Sequence, residues 1–272
     1  MQFLKAASMA PSAQDWLANT HQPRILHVFD HVCNLINEHR EVLSVVTEQI
    51  GNGPFNLVIE DEVCFSEQLN AESSISISAS QIALGGLMVN IWHAKFWSPR
   101  PDWETLHAKH SDISNQLVTL QITDYQPLLP YSLLSTLSYA LANADISSAR
   151  VIASQLAGLG NGLTPAGDDF LLGAIYAAWI LHPAETASIL TREISNTAAP
   201  LTTSLSAAWL RAGGRGEAGA VWQEFFKALL MTDSATIQLQ MAKLISIGHT
   251  SGADALTGFM ITLAAASPFL SS

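Results

Sequence analysis

Gly162-Leu-Thr-Pro-Ala-Gly-Asp-Asp-Phe-Leu-Leu-Gly173 is matched, with one residue of gap, by Gly248-His-Thr-Ser-Gly-Ala-Asp-Ala-Leu-Thr-Gly258. The alignment pairs Thr164 with Thr250, Gly167 with Gly252, Asp169 with Asp254 and Gly173 with Gly258, the mark of an internal repeat. Each copy reads as a loop that starts a helix. Thr164 stands where a side chain accepts from first-turn amides, with Pro165 at the first helical position, where a missing N–H does no harm. Ser251 and Asp254 have the spacing of a capping box, with aspartate for the usual glutamate or glutamine. The apolar runs that follow, Phe170 to Leu181 and Ala255 to Leu270, are shorter than the roughly 20 residues that cross a bilayer, and Pro268 interrupts the second. Both read as buried helices. Leu171, Ala174, Ile175, Ala178 and Trp179 share one face of the first, and Leu256, Phe259, Met260 and Leu263 one face of the second.

Working outward, the Ala- and Leu-rich composition from about Tyr131 onward favours helix, with further helices expected near 183–198, 200–212, 217–230 and 234–246. The first hundred residues differ. Ile25 to Phe29, Val42 to Val46, Phe55 to Ile59, Ser74 to Ser78 and Leu87 to Ile91 are short β-like runs, with Gly51-Asn-Gly-Pro54 as a turn between two of them. Trp97-Ser-Pro-Arg-Pro-Asp102 reads as a boundary, since its prolines remove donors and extend the residues before them. The expectation is an α+β chain: a small antiparallel β domain over 1–102, as a sheet or partly open barrel, then an all-helical domain over 103–272 that carries both loops.

Bulk properties narrow the function. At 272 residues and 49% hydrophobic the chain can fill a substantial core, while only 13% of it is charged, about half the share of an average soluble protein. So many apolar residues with so little hydrated surface point to a face covered by a partner or a second copy. A formal charge of −11 with 12 Lys and Arg argues against nucleic acid and against anionic membranes. Cys33 and Cys64 form no metal-ligand spacing and read as reduced thiols, with a disulfide between them as the alternative. Lys5 and the Ala-Ala-Ser-Met-Ala-Pro that follows lack the apolar core of a signal peptide, so a cytoplasmic protein is expected.

Chemistry concentrates on the two loops. Free N–H groups and the positive end of each helix dipole meet a glycine-rich segment that includes Gly160, Asn161 and Gly162, which suits a small anion. Asp168, Asp169 and Asp254 add carboxylates that need a cation, an arginine or hydrogen-bond donors if they lie near a core. His249 is the general-base candidate, since imidazole titrates near neutrality. Arg211 and Arg215 offer forked donors to a carboxylate or phosphate, or are simply helix-end charges. Gly158-Leu-Gly-Asn-Gly162 follows a helix rather than a strand, which excludes a dinucleotide loop. The Gly-Lys-Ser/Thr, His-Glu-x-x-His and Gly-x-Ser-x-Gly signatures are absent from the sequence. Three readings stand: a transferase site, a noncatalytic scaffold or ligand-sensing subunit whose loops are only helix caps, and a metal-assisted hydrolase with Asp168, Asp169 and Asp254 as ligands.

Gly-Leu-Thr-Pro-Ala-Gly-Asp-Asp-Phe-Leu at 162–171 and Gly-His-Thr-Ser-Gly-Ala-Asp at 248–254 resemble the two signature segments of the bacterial family that includes the small subunit of oxamate carbamoyltransferase, of anaerobic allantoin breakdown. Gly53-Pro54, Trp97-x-Pro99 and the Thr/Ser-rich helix with Thr203 and Ser206 extend the resemblance over most of the chain. It implies carbamoyl transfer between carbamoyl phosphate and oxamate, giving oxalurate and phosphate, or the reverse, in a complex with two larger partners; a homo-oligomer is the alternative. His249, Asp168, Asp169 and Asp254 would be catalytic. Gly160, Asn161, Gly162, Thr164, Gly167, Thr250, Ser251, Gly252, Thr203, Ser206 and Arg211 would bind the anionic substrate. Mg2+ beside the acidic doublet and phosphate is a further implication, with no metal ligand set assigned.

Overall fold

The computed structural model describes residues 1–118, 125, 127–231 and 233–266, and its contacts divide the chain into two compact units, Met1–Pro99 and Arg100–Ser272. In the first, the order is β1 (Gln2–Met9), α1 (Pro11–Asn19), β2 (Arg24–Val28), β3 (Val32–Ile36), β4 (Val42–Thr47), β5 (Asn56–Ile59), α2 (Phe65–Gln68), β6 (Ile75–Ile77), β7 (Gln81–Leu84), β8 (Leu87–Asn90) and β9 (Lys95–Phe96). The strands form one nearly closed, barrel-like sheet in the order β2-β3-β4-β5-β1-β8-β7-β6, with β9 added to β1. β4 and β5 are buried along their whole length, as strands covered on both faces must be. Leu4, Trp16, Cys33, Leu43, Leu57, Phe65, Ile82 and Val89 belong to the core this unit builds for itself. Cys33 and Cys64 are free thiols.

The sheet is mixed rather than antiparallel throughout. β1 runs parallel to β8 and β9, and β4 parallel to β5, while the remaining pairs are antiparallel. Gly51-Asn-Gly-Pro54 does turn the chain, with Gly51 at φ +78°, but the turn returns it alongside β4 instead of closing a hairpin. β1 itself gives no strand signal. Its Lys, Ala and Ser are poor strand formers, and a bulge between Ala6 and Ser8 breaks the two-residue alternation. Its place in the middle of the sheet comes from its partners.

The second unit is helical: α3 (Trp103–Ala108), α4 (His110–Val118), α5 (Tyr131–Ala142), α6 (Ile146–Leu156), α7 (Ala166–Leu181), α8 (Ala184–Ala198), α9 (Ser204–Gly214), α10 (Ala220–Met231), α11 (Ser234–Ile245) and α12 (Ser251–Ala265). A short 3-10 turn at Ala199–Leu201 precedes α9, which starts later than expected because Thr203 caps it by accepting from Ser206 N at 3.1 Å. Asp145 and Asp233 cap α6 and α11 in the same way, from Ser148 N and Thr236 N. Residues 267–270 of the second apolar run lie outside the described residues.

α7 is buried on every side from Gly167 to Ile180, so the single apolar face expected for it is an understatement. A helix apolar all round belongs in the middle of a core. Its polar ring tips still need partners, and the end of α9 supplies one: Trp179 Nε1 donates to Gly213 O at 2.9 Å. Just beyond, Tyr176 OH donates to Glu217 O at 3.2 Å and Trp103 Nε1 to Gly216 O at 2.8 Å. Among the described residues, no helix is long and apolar enough to cross a membrane.

Candidate functional site

α7 and α12 cross through glycine. A Cβ on Gly173 would stand 1.7 Å from Ala255 O, and one on Gly258 would stand 2.1 Å from Phe170 O. The repeat pairs Gly173 with Gly258 and therefore Phe170 with Ala255, so these are one contact made twice about a local two-fold axis. The elements before them repeat it. Gly167 faces Leu156 O at 2.0 Å and Gly252 faces Leu244 O at 1.7 Å by the same measure. Gly167 N donates to Leu159 O and Gly252 N to Ile247 O. The internal repeat is therefore helix, loop, helix: α6 with α7 and α11 with α12.

The crossing brings the first turns of the two helices together. Thr164 Oγ1 and Ser251 Oγ share a hydrogen bond of 2.8 Å between the loops. Neither is a cap. The residue before α7 is Pro165 and the one before α12 is Thr250, and neither cap makes a side-chain bond to a first-turn amide. The expected threonine cap and capping box are thus both corrected: each helix begins beyond its threonine, and the hydroxyls of Thr164 and Ser251 join the loops instead. Gly160, at φ +121° and with a Cβ position 2.8 Å from Ala166 N, lets the first loop fold tightly onto α7.

Two of the three carboxylates are left wanting. Asp168 is satisfied, since Oδ1 accepts from Gly158 N at 2.9 Å and Oδ2 from the Thr202 hydroxyl. Burial still raises its proton affinity. Those two bonds oppose the rise, as does the nearby Ser206 hydroxyl. Asp169 and Asp254 are both buried, and Oδ2 of each has no hydrogen-bond partner among the described residues. Burial pushes Asp169 up to about 7, with Asp254 and Asp168 adding like charge and the Ser251 and Thr164 hydroxyls opposing. Asp254 is also raised by burial, against the hydroxyls of Tyr125 and Thr250. Tyr125 OH donates to Asp254 Oδ1 at 2.6 Å. Burial and that carboxylate hold the Tyr125 phenol protonated, well above its ordinary range.

The site residues expected from sequence thus separate. Asp169, Asp254, Thr164, Thr250 and Ser251 come together, and Gly167 and Gly252 let α7 and α12 lie against α6 and α11. Gly160, Asn161, Gly162 and His249 lie exposed on the two loops. Asp168 and Ser206 lie on the α9 side, and Thr203 caps α9 while donating to Leu163 O at 2.7 Å. Arg211 lies with Arg192 and Arg215 in a groove between α8 and α9. Among the described residues no group of three His, Cys, Asp or Glu is arranged to hold a metal ion. Of the acidic doublet, Asp168 directs its oxygens to Gly158 N and the Thr202 hydroxyl. Tyr125 escaped the sequence reading. Nothing in its neighbours marks it, and it reaches Asp254 across 129 positions of chain.

The geometry can take up a proton at Asp169 near neutrality and can accept N–H donors at two buried oxygens. No solved structure matches the chain. The pattern of the oxamate carbamoyltransferase subunit AllH matches residues 156–263, from the Leu156 carbonyl that meets Gly167 to the last turn of α12. That of the AllH family N-terminal domain matches residues 5–96, across the sheet. With both units matched, and with the two-fold crossing inside the longer match, the chain belongs to the oxamate carbamoyltransferase subunit AllH family.

Proposed function

We propose that the chain works, with partner subunits, in carbamoyl transfer among carbamoyl phosphate, oxamate and oxalurate, and that the Asp169–Asp254 pair handles the N–H end of these molecules. The observation that carries this is the pair of buried Oδ2 atoms at the crossing that have no hydrogen-bond partner among the described residues. An unsatisfied buried carboxylate oxygen calls for a donor, and each of these compounds presents amide N–H donors. Their phosphate and carboxylate ends would be repelled by the pair. We assign those ends to the backbone amides of the Gly160–Gly162 loop and the first turns of α7 and α12.

Transfer to oxamate forms a bond from its nitrogen to the carbamoyl carbon, breaks the bond from that carbon to the phosphate oxygen, and requires one proton to leave the nitrogen. Asp169 takes that proton and returns it in the reverse direction, since a group titrating near 7 serves both roles at neutral pH. Tyr125 holds Asp254 in place as a protonated donor, so Asp254 orients the N–H group. The scaffold reading has Thr164 and Ser251 bonding first-turn amides, and they bond each other instead.

The test is turnover in the assembled complex. Asp169→Asn lowers kcat about 10²-fold or more, the contribution typical of a positioned base, while size-exclusion chromatography finds the complex intact. Wild-type turnover falls on acidification through about pH 7. Unchanged turnover in an intact Asp169→Asn complex removes Asp169 as the base.

A further inference from the structure

We propose that the groove between α8 and α9 is a second, separate binding site, which takes the phosphate or carboxylate group of a small anion. It is lined by Arg192, Ser195, Asn196, Arg211, Gly214 and Arg215. Three of the chain's 12 cationic residues gather here in a molecule of formal charge −11, against their mutual repulsion.

The packing explains how they meet. A Cβ on Gly214 would lie 2.2 Å from Ser195 Oγ and 3.2 Å from Thr191 O, so only glycine lets α9 lie this close to α8. That approach sets Arg192 of α8 opposite Arg211, on the last turn of α9, and Arg215, just after it. Arg215 is oriented by Glu217, through Nε to Oε1 at 3.1 Å and Nη2 to Oε2 at 2.7 Å. The backbone is held as well, since Arg100 Nη1 donates to Arg215 O at 3.3 Å. Arg192 and Arg211 are exposed, and neither side chain forms an ion pair or hydrogen bond among the described residues. Two uncommitted guanidinium forks facing one groove beside the Asn196 amide match the oxygens of a phosphate or carboxylate. The site stands apart from Asp169 and Asp254 and does not depend on their role.

Isothermal titration of the full chain with inorganic phosphate, and separately with oxalate, at constant low ionic strength tests this. The expected result is saturable binding of at least one of the two that depends on Arg192 and Arg211, and the stronger arm identifies the group preferred. Arg192→Ala and Arg211→Ala each weaken it about tenfold or more, with unchanged melting because both side chains are exposed, and Arg192→Lys restores it only in part because the fork is lost. Absence of saturable binding to the folded wild type overturns the proposal. So does affinity retained in the double alanine variant. Failure of the alanine variants to join partner subunits, with neither anion bound by the wild type, also overturns it and makes the groove a protein contact.

Discussion

Asp169 differs from its neighbour Asp168 by one position in sequence and by its whole environment. Asp168 has two donors, whereas Asp169 faces a second carboxylate with one oxygen lacking a partner among the described residues, and its affinity for a proton follows. Its ordinary value of 3.8 rises to about 7 in the folded chain. Between those values the folded state holds a proton that the unfolded state has released, so the stability due to Asp169 is complete below about pH 4 and is lost as pH rises through 7. Asp169→Asn removes that dependence. Melting of the variant and the wild type between pH 5 and 8 should therefore show the variant gaining on the wild type up to about pH 7 and levelling off beyond it, by about 3 kcal/mol for the roughly two units crossed. A constant difference across the range contradicts the raised affinity. At Asp254, Tyr125→Phe removes the 2.6 Å donor to Oδ1, and should cost about 1.5–3 kcal/mol at pH 8 in chemical denaturation. The alignment of Asp169 with Asp254 was legible in the sequence as a repeat, whereas their facing each other was not, because local spacing does not say how two helices cross. Tyr125 was not, since one distant phenol leaves no pattern.

Elements were legible where periodicity was strong and misread where side chains had competing uses. α7 and α12 follow from their apolar runs, and their N-terminal hydroxyls look like caps because local spacing is the same whether Thr164 bonds its own helix or Ser251. The crossing decides between them, and no sequence rule describes it. β1 fails the two-residue test through its bulge, and the parallel course of β4 and β5 is set by pairing across the sheet rather than by the turn between them. The crossing makes its own prediction. Gly173→Ala and Gly258→Ala drive a methyl into equivalent carbonyls, so each should destabilise the chain by about 3 kcal/mol or more, the upper range for overpacking, and by similar amounts. Gly86→Ala, where a Cβ meets nothing within 4 Å, is the control and should change stability by under about 0.5 kcal/mol. Unequal losses at Gly173 and Gly258 would count against the local two-fold.

The whole chain carries two cores that share no residue, one built from Leu4 to Val89 and the other from Trp103 to Leu263. Composition anticipated both the change of class along the chain and the shortage of charge, and it could not name the surfaces involved. Exposed Phe3, Trp92 and Phe96 in the first unit, and Tyr131, Tyr139 and Met231 in the second, agree with a subunit that meets partners in its complex. Separate cores have a consequence for folding. A unit that buries its own apolar residues and closes its own hydrogen bonds needs nothing from the rest of the chain to reach its native state. Fragments 1–99 and 100–272 should each give a single cooperative thermal transition by circular dichroism. The helical fragment should also retain the increase in Asp169→Asn stability with pH, because Thr164, Ser251, Tyr125 and Asp254 all lie within it. A helical fragment that melts without cooperativity would mean that the two-fold crossing depends on residues before Arg100.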